Sequence, residues 1–242
     1  MLRRARLHAR PAPVARPGPS GLLPLELDGA CDGYLYVPAS YEHTRASALV
    51  LMLHGSGGHA HHGIEILQPL ADENGVILVA PCSTEYTWDV PLGRYGAHAA
   101  TVNRALEQVF AAYAADASRI AIAGFSDGGT CALSLGLAHP GVFTHVIAFS
   151  PGFVPLPGVA ASRIFVSHGT RDEIQPIGSC SHRILSQLGE QAATIEYVEF
   201  EAGHRIPPEV ARRAMEWLMQ APGSERARAA SRGAESRSQQ GD

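Results

Sequence analysis

Short apolar runs alternate along the chain with longer segments in which apolar residues recur every three or four positions. The run RIAIA at 119–123 shows no polar alternation, which is typical of a strand that is covered on both faces of a parallel sheet. Eight strands are predicted, at 22–27, 33–38, 48–54, 75–81, 119–125, 145–150, 163–168 and 194–200. Five helices are predicted, at 62–73, 98–115, 127–138, 178–190 and 207–219. This order predicts an α/β fold with a mostly parallel sheet, in which the first two strands form a hairpin at one edge.

The length of 242 residues is enough for one sizeable core, and a single domain is expected over residues 22–220. Residues 1–21 are rich in arginine and proline and are predicted to be a disordered basic extension. Residues 221–242 are rich in polar and small residues and are predicted to form a disordered tail. Because the chain lacks an apolar run of signal-peptide or membrane-spanning character, a cytoplasmic location without a membrane anchor is expected.

Charge and composition exclude several kinds of chemistry. The two tails carry +5 and +1, so the net charge of −4 leaves −10 on residues 22–220, which argues against a nucleic-acid partner. All 19 basic residues are arginine, which removes Schiff-base and lysine-base chemistry. Four cysteines, at positions 31, 82, 131 and 180, lie far apart without CxxC spacing. They are expected to be reduced thiols, with neither a disulfide nor a metal site.

Four motifs place polar residues directly after predicted strands. They are HGSGG at 54–58, GFSDGG at 124–129, HGTRDE at 168–173 and EAGHR at 201–205. The carboxyl ends of parallel strands meet at one edge of a sheet, so these motifs are expected to lie close together. GxSxG alone could be an ordinary turn, but serine, acid and histidine follow one another here in the chain order of a nucleophile elbow and its partners.

In these motifs the chain resembles the α/β-hydrolase family, and within it the small lidless esterases related to phospholipase/carboxylesterase and polyhydroxybutyrate-depolymerase-like enzymes. The resemblance covers roughly residues 22–219. It implies an α/β-hydrolase fold, with an eight-stranded mostly parallel sheet, helices on both faces and no lid domain. It also implies that Ser126 is the nucleophile, His204 the general base and Asp172 the orienting acid.

The chemistry requires these residue types independently of the family. A serine hydroxyl is a poor nucleophile at neutral pH, so an imidazole must accept its proton and a carboxylate must orient that imidazole. Each candidate has an alternative interpretation. Ser126 could be a turn serine, His204 could be a surface histidine, and Glu173 is a rival to Asp172 as the acid.

Backbone N–H groups are the expected donors to a tetrahedral oxyanion. Asp127, which follows the nucleophile, supplies one of them. The resemblance assigns the second to Ser56, the residue after HG, with Gly55 and Gly57 as neighbours that permit the approach. His54 is expected to shape this loop. The negative charge of Asp127 is unhelpful beside a developing oxyanion unless the side chain is paired or points away, although it suits the start of a helix.

Two aromatic residues are candidates for the substrate pocket. Trp88 follows the fourth strand and Phe153 follows the sixth, and either could instead be ordinary packing. The HAHHG segment at 59–63 is interpreted as an exposed loop rather than a zinc site, because no acidic or cysteine partner stands at ligand spacing. No metal or organic cofactor is expected.

The sequence therefore predicts a serine hydrolase that cleaves a small-molecule or lipid-like carboxylic ester through an acyl-enzyme. A thioesterase, a lysophospholipase or a polyester depolymerase would use the same three residues. A non-catalytic binding protein on the same fold is the alternative from another class.

Overall fold

The computed structural model describes residues 6–14, 17–27, 33–92, 97–154, 162–189 and 195–220. The strands are β1 (Gly21–Pro24), β2 (Gly33–Val37), β3 (Ser47–Leu53), β4 (Ile77–Pro81), β5 (Ala115–Phe125), β6 (His145–Phe149), β7 (Arg163–Gly169) and β8 (Ile195–Phe200). The helices are α1 (Ala60–Asn74), α2 (Ala97–Ala112), α3 (Asp127–Ala138), α4 (Ser181–Leu188) and α5 (Pro208–Met219). Every predicted strand and helix thus has a counterpart. None of the described helices combines the length and the apolar character needed to cross a bilayer.

The eight strands form one sheet in the order β1-β2-β4-β3-β5-β6-β7-β8. β1 and β2 pair antiparallel at one edge, as predicted, and β2 also runs antiparallel to β4. All the remaining pairs are parallel. The carboxyl ends of β3, β5 and β7 therefore open at the same edge of the sheet.

The central strand β3 is buried on both faces, which explains its unbroken apolar sequence. Leu49, Leu51 and Leu53 belong to the core cluster that α2, α3 and α4 cover. Val50 and Met52 point to the opposite face and pack with α1 and α5. The helices on the two faces hold the strand ends in a fixed arrangement.

The N-terminal segment packs on α2. Leu7 and Ala9 are 5% and 4% exposed. The side-chain oxygen of Asn103 accepts hydrogen bonds from the backbone N–H groups of His8, at 2.8 Å, and of Ala9, at 3.0 Å. The prediction of a disordered extension over residues 1–21 is therefore wrong for the part that the structure describes. The prediction rested on the arginine- and proline-rich composition and gave no weight to Leu7 and Ala9, the two apolar residues that pack into the core.

A second contact holds this segment farther along. The Gly18 N–H donates to the Ala112 carbonyl at 3.1 Å, and the Tyr113 hydroxyl donates to the Pro19 carbonyl at 2.8 Å. The segment is thus fastened at both ends of its described residues. The other predicted tail, residues 221–242, lies outside the described residues.

One cysteine departs from expectation, because Cys82 is disulfide-bonded. Cys131 and Cys180 are buried free thiols, and Cys31 lies outside the described residues. The register that sets Gly33 opposite Pro81 carries Cys82 to the beginning of β2. The spacing of cysteines along a sequence does not show which strands pair, so it gave no sign of this disulfide.

Candidate active site

Ser126 lies in a strained turn between β5 and α3. Its φ of 56° and ψ of −120° are in a region that non-glycine residues rarely adopt. The Ser126 N–H donates to the Phe149 carbonyl at 2.9 Å, which fixes the turn to the end of β6. This is the strained strand-to-helix geometry that a nucleophile elbow requires.

The two outer glycines of GFSDG permit this turn because backbone passes directly beside them. A Cβ on Gly124 would lie 2.1 Å from the Gly128 carbonyl oxygen. A Cβ on Gly128 would lie 2.2 Å from the Leu53 carbonyl oxygen. Any side chain at either position would therefore push α3 away from the sheet.

Ser126, His204 and Asp172 form one hydrogen-bonded chain. The Ser126 Oγ lies 2.9 Å from the His204 Nε2, and the His204 Nδ1 lies 2.6 Å from the Asp172 Oδ2. In the neutral imidazole, Nδ1–H donates to the carboxylate and Nε2 accepts from the serine hydroxyl. The loops after β5, β7 and β8 carry these residues to one edge of the sheet.

The Asp172 carboxylate is fully enclosed and well supplied with donors. Its Oδ1 accepts from the N–H groups of Ile174, at 3.0 Å, and Gln175, at 2.8 Å. Burial raises the pKa of Asp172, but the hydrogen bonds from Gln175 and His204 outweigh burial, so the pKa is lowered overall. The rival Glu173 is exposed to solvent. Of the two acids, the structure thus brings only Asp172 to the imidazole.

The buried His168 holds the loop that carries Asp172. Its Nε2–H donates to the Gln175 carbonyl at 2.6 Å, and its Nδ1 accepts from the Ser181 hydroxyl at 2.5 Å. Burial lowers the pKa of His168, so the folded protein favours the neutral ring. Sequence reasoning missed this role, and its one available signal was the position of His168 at a strand end in HGTRDE.

The loop after β3 lies against Ser126. A Cβ on Gly55 would be 3.4 Å from the Ser126 Cβ. The Gly57 N–H donates a hydrogen bond to the Tyr86 carbonyl at 2.8 Å. The N–H groups of Ser56 and Asp127, in contrast, have no acceptor among the residues that the structure describes. Ser56 and Asp127 therefore remain the predicted donors to a substrate oxygen.

The side chain of Asp127 is paired, which answers the question raised by its charge. Its Oδ2 accepts hydrogen bonds from the Ser56 hydroxyl and from the Thr87 hydroxyl, the latter at 2.7 Å. Thr87 is 6% exposed and belongs to the loop after β4. Sequence reasoning did not find Thr87, because no local pattern links it to the elbow.

Trp88 does not line an open pocket, contrary to the prediction. It is fully buried, and its indole N–H donates to the His54 carbonyl at 2.7 Å. His54 in turn donates from Nδ1 to the Gly55 carbonyl at 2.8 Å and accepts at Nε2 from the Ser83 N–H at 3.1 Å. Burial lowers the pKa of His54. Trp88 and His54 therefore stabilise the loop after β3 through buried hydrogen bonds.

Two cavities open near the site. One of about 360 Å³ lies between the loop after β3 and α1, and its apolar wall includes Met52, Ile66 and Phe125. The other, of about 390 Å³, is bordered by Phe153 and Arg183. Phe153 is 43% exposed, and its contact with a substrate stays a prediction.

The HAHHG segment was expected to form an exposed loop, but most of it lies in a helix. α1 begins at Ala60, so His61 and His62 lie in its first turn. His61 contacts Glu65 at 2.9 Å, and the rings of His59 and His62 stack with centroids 3.7 Å apart. Within the described residues, no group of three or more His, Cys, Asp or Glu side chains could hold a metal ion.

The sequence matches known proteins over most of its length. A family model described as "Putative esterase" matches residues 26–187. The curated feruloyl esterase B of Talaromyces funiculosus is 26% identical over an alignment of 174 residues, and the match covers 68% of this chain and 46% of that protein. The chain thus spans about half the length of this relative.

Solved structures show the same fold. A thermostable esterase superposes with a TM-score of 0.63 at 22% identity, over 76% of this chain and 57% of the other. The Bacillus cereus carboxylesterase superposes with a TM-score of 0.59 at 20% identity, over 76% of this chain and 92% of that one. The α/β-hydrolase fold predicted from the sequence is confirmed.

The buried His168 predicts a pH-dependent stability. As the pH falls through about 6.5, the unfolded chain binds a proton that folded His168 resists, because its folded pKa is lowered. The free energy of unfolding should therefore decrease from pH 6.5 down to that lowered pKa. His168→Gln should reduce this slope by up to about 1.4 kcal/mol per pH unit, the value for one proton.

Urea unfolding between pH 5 and 7.5 measures this slope. His43→Gln is the matched control, because His43 is exposed and its replacement should leave the slope unchanged. An identical slope in wild type and His168→Gln would contradict the assignment.

Proposed function

This chain belongs to the Esterase family, and on that premise we propose that it is a serine hydrolase that cleaves carboxylic esters through an acyl-enzyme. The observation that carries the proposal is the hydrogen-bonded chain from Ser126 through His204 to Asp172, at an elbow of the required geometry. In this proposal Ser126 is the nucleophile, His204 the general base and Asp172 the residue that orients the imidazole.

Acylation begins when the Ser126 oxygen attacks the ester carbonyl carbon while His204 Nε2 accepts the hydroxyl proton. The carbonyl oxygen becomes an oxyanion, which the backbone N–H groups of Ser56 and Asp127 stabilise. The carbon–oxygen bond to the alcohol then breaks, and His204 returns the proton to the departing alcohol oxygen. The acyl group remains on Ser126.

Deacylation repeats these steps with water as the nucleophile. His204 accepts a proton from the water as the water oxygen bonds to the acyl carbon. The bond between the acyl carbon and the Ser126 oxygen then breaks, and His204 returns the proton to that serine oxygen. The anionic Asp172 holds Nδ1–H in place and stabilises the imidazolium that forms in each half of the cycle. The products are a carboxylic acid and the free enzyme.

The proposed substrate is a small-molecule or lipid-like ester. The apolar cavity beside Phe125 and the cavity beside Phe153 are each large enough to receive an apolar substituent of an ester. A thioester, a lysophospholipid or a polyester could follow the same steps. Because one relative is named a feruloyl esterase, a feruloyl ester belongs among the compounds to test.

The cytoplasmic location stays a prediction. The disulfide at Cys82 weighs against it, because structural disulfides persist mainly in oxidising compartments.

Ser126→Ala should lower ester hydrolysis by about three to six orders of magnitude while the thermal midpoint stays close to that of wild type. The measurement is the turnover of p-nitrophenyl esters of increasing chain length, a thioester and a feruloyl ester, together with labelling by a fluorophosphonate probe. A wild type that neither turns over these compounds nor reacts with the probe would support the non-catalytic alternative. Labelling that survives in Ser126→Ala would assign the nucleophile to another residue.

Asp172→Asn should lower turnover by about four orders of magnitude, because the amide presents the wrong partner to His204 Nδ1. Glu173→Gln is the matched control and should stay close to wild type, because Glu173 is exposed. Both variants are compared on one p-nitrophenyl ester. An active Asp172→Asn beside an inactive Glu173→Gln would show that the acid is wrongly assigned.

A further inference from the structure

Asp127 links the two segments that carry the proposed oxyanion donors. Its own N–H is at the start of α3, and its carboxylate accepts a hydrogen bond from the side chain of Ser56 in the loop after β3. We propose that Asp127 is a positioning residue, whose carboxylate holds the Ser56 loop against α3 so that the two N–H groups converge on one substrate oxygen. This inference rests on the proposed esterase function.

The Asp127 carboxylate also binds the segment at 86–88, which itself contacts the loop after β3. Thr87 donates to Asp127 at 2.7 Å. The residues on either side of Thr87 both contact the loop, since the Tyr86 carbonyl accepts from Gly57 N–H and the Trp88 indole donates to the His54 carbonyl. Asp127 therefore acts on the loop directly and through the segment at 86–88.

Charge and position make opposite predictions for this residue. A carboxylate near the site opposes a developing oxyanion, so on charge alone its removal would accelerate the reaction. If the carboxylate instead orders the two donors, its removal slows the reaction, because oxyanion stabilisation depends on donors that are already in place. The two hydroxyl donors on Asp127 Oδ2 favour the second outcome.

The test compares Asp127→Ala, Asp127→Asn and Ser56→Ala in the full chain. Asp127→Ala should lower kcat by about 10- to 100-fold with little change in KM, a smaller loss than removal of an oxyanion donor itself. Asp127→Asn should recover most of this loss, because the amide oxygen still accepts hydrogen bonds. Ser56→Ala keeps its backbone N–H, and its effect should not add to that of Asp127→Ala, since both remove the same link.

A second readout separates positioning from a general structural role. Inhibition by a trifluoromethyl ketone, whose serine adduct carries an oxyanion, should weaken in Asp127→Ala by about the factor lost in kcat. Thermal midpoints are measured for every variant. The matched control is the hydrogen bond between Ser118 and Asp116, at 2.6 Å near the start of β5, where Ser118→Ala and Asp116→Ala should leave kcat unchanged.

Three results would overturn the inference while the esterase function stands. They are an Asp127→Ala variant with undiminished or higher kcat, an Asp127→Asn variant as slow as Asp127→Ala, and a loss of kcat without weaker inhibition by the ketone. A wild type without ester turnover would overturn both the inference and the proposed function.

Discussion

The close packing of α3 against β3 and β5 is the constraint on which this site depends. At Gly124 and Gly128 the backbones approach so closely that a single methyl group on either would collide with a carbonyl oxygen. Between these two glycines, Ser126 adopts a positive φ of 56°. The close packing also brings the first turn of α3 beside the loop after β3. The same packing contact thus positions the proposed nucleophile, one proposed oxyanion donor and the carboxylate of Asp127.

Two carboxylates have different surroundings at this site. Asp172 is enclosed and bound by two backbone N–H groups and an imidazole, so its pKa is lowered and its charge can face His204. Asp127 receives two side-chain hydroxyls from two loops. In the proposed mechanism the first carboxylate orients the base, and the second orders the backbone donors. The same chemical group therefore serves two purposes because its donors differ.

Much of the fold could be predicted because buried parallel strands have a distinctive local sequence. The apolar runs located all eight strands, and the polar residues after β5, β7 and β8 identified side chains that the structure brings together. The remaining features depend on contacts between distant segments. The interpretation of Trp88 as a pocket residue is wrong because its hydrogen-bond partner, the His54 carbonyl, belongs to another loop. The packing of Leu7 and the disulfide of Cys82 likewise arise from tertiary contacts that composition and spacing do not encode.

Covalent capture of the acyl group is the most direct test of an acyl-enzyme on Ser126. The protein is mixed with a p-nitrophenyl ester, quenched in acid within the first turnover, and digested for peptide mass spectrometry. The mass of the acyl group should appear on Ser126 in the peptide that spans residues 120–163, and it should be absent after Ser126→Ala. Steady hydrolysis by the wild type with no acylated peptide, or with the acyl group on another residue, would contradict this assignment.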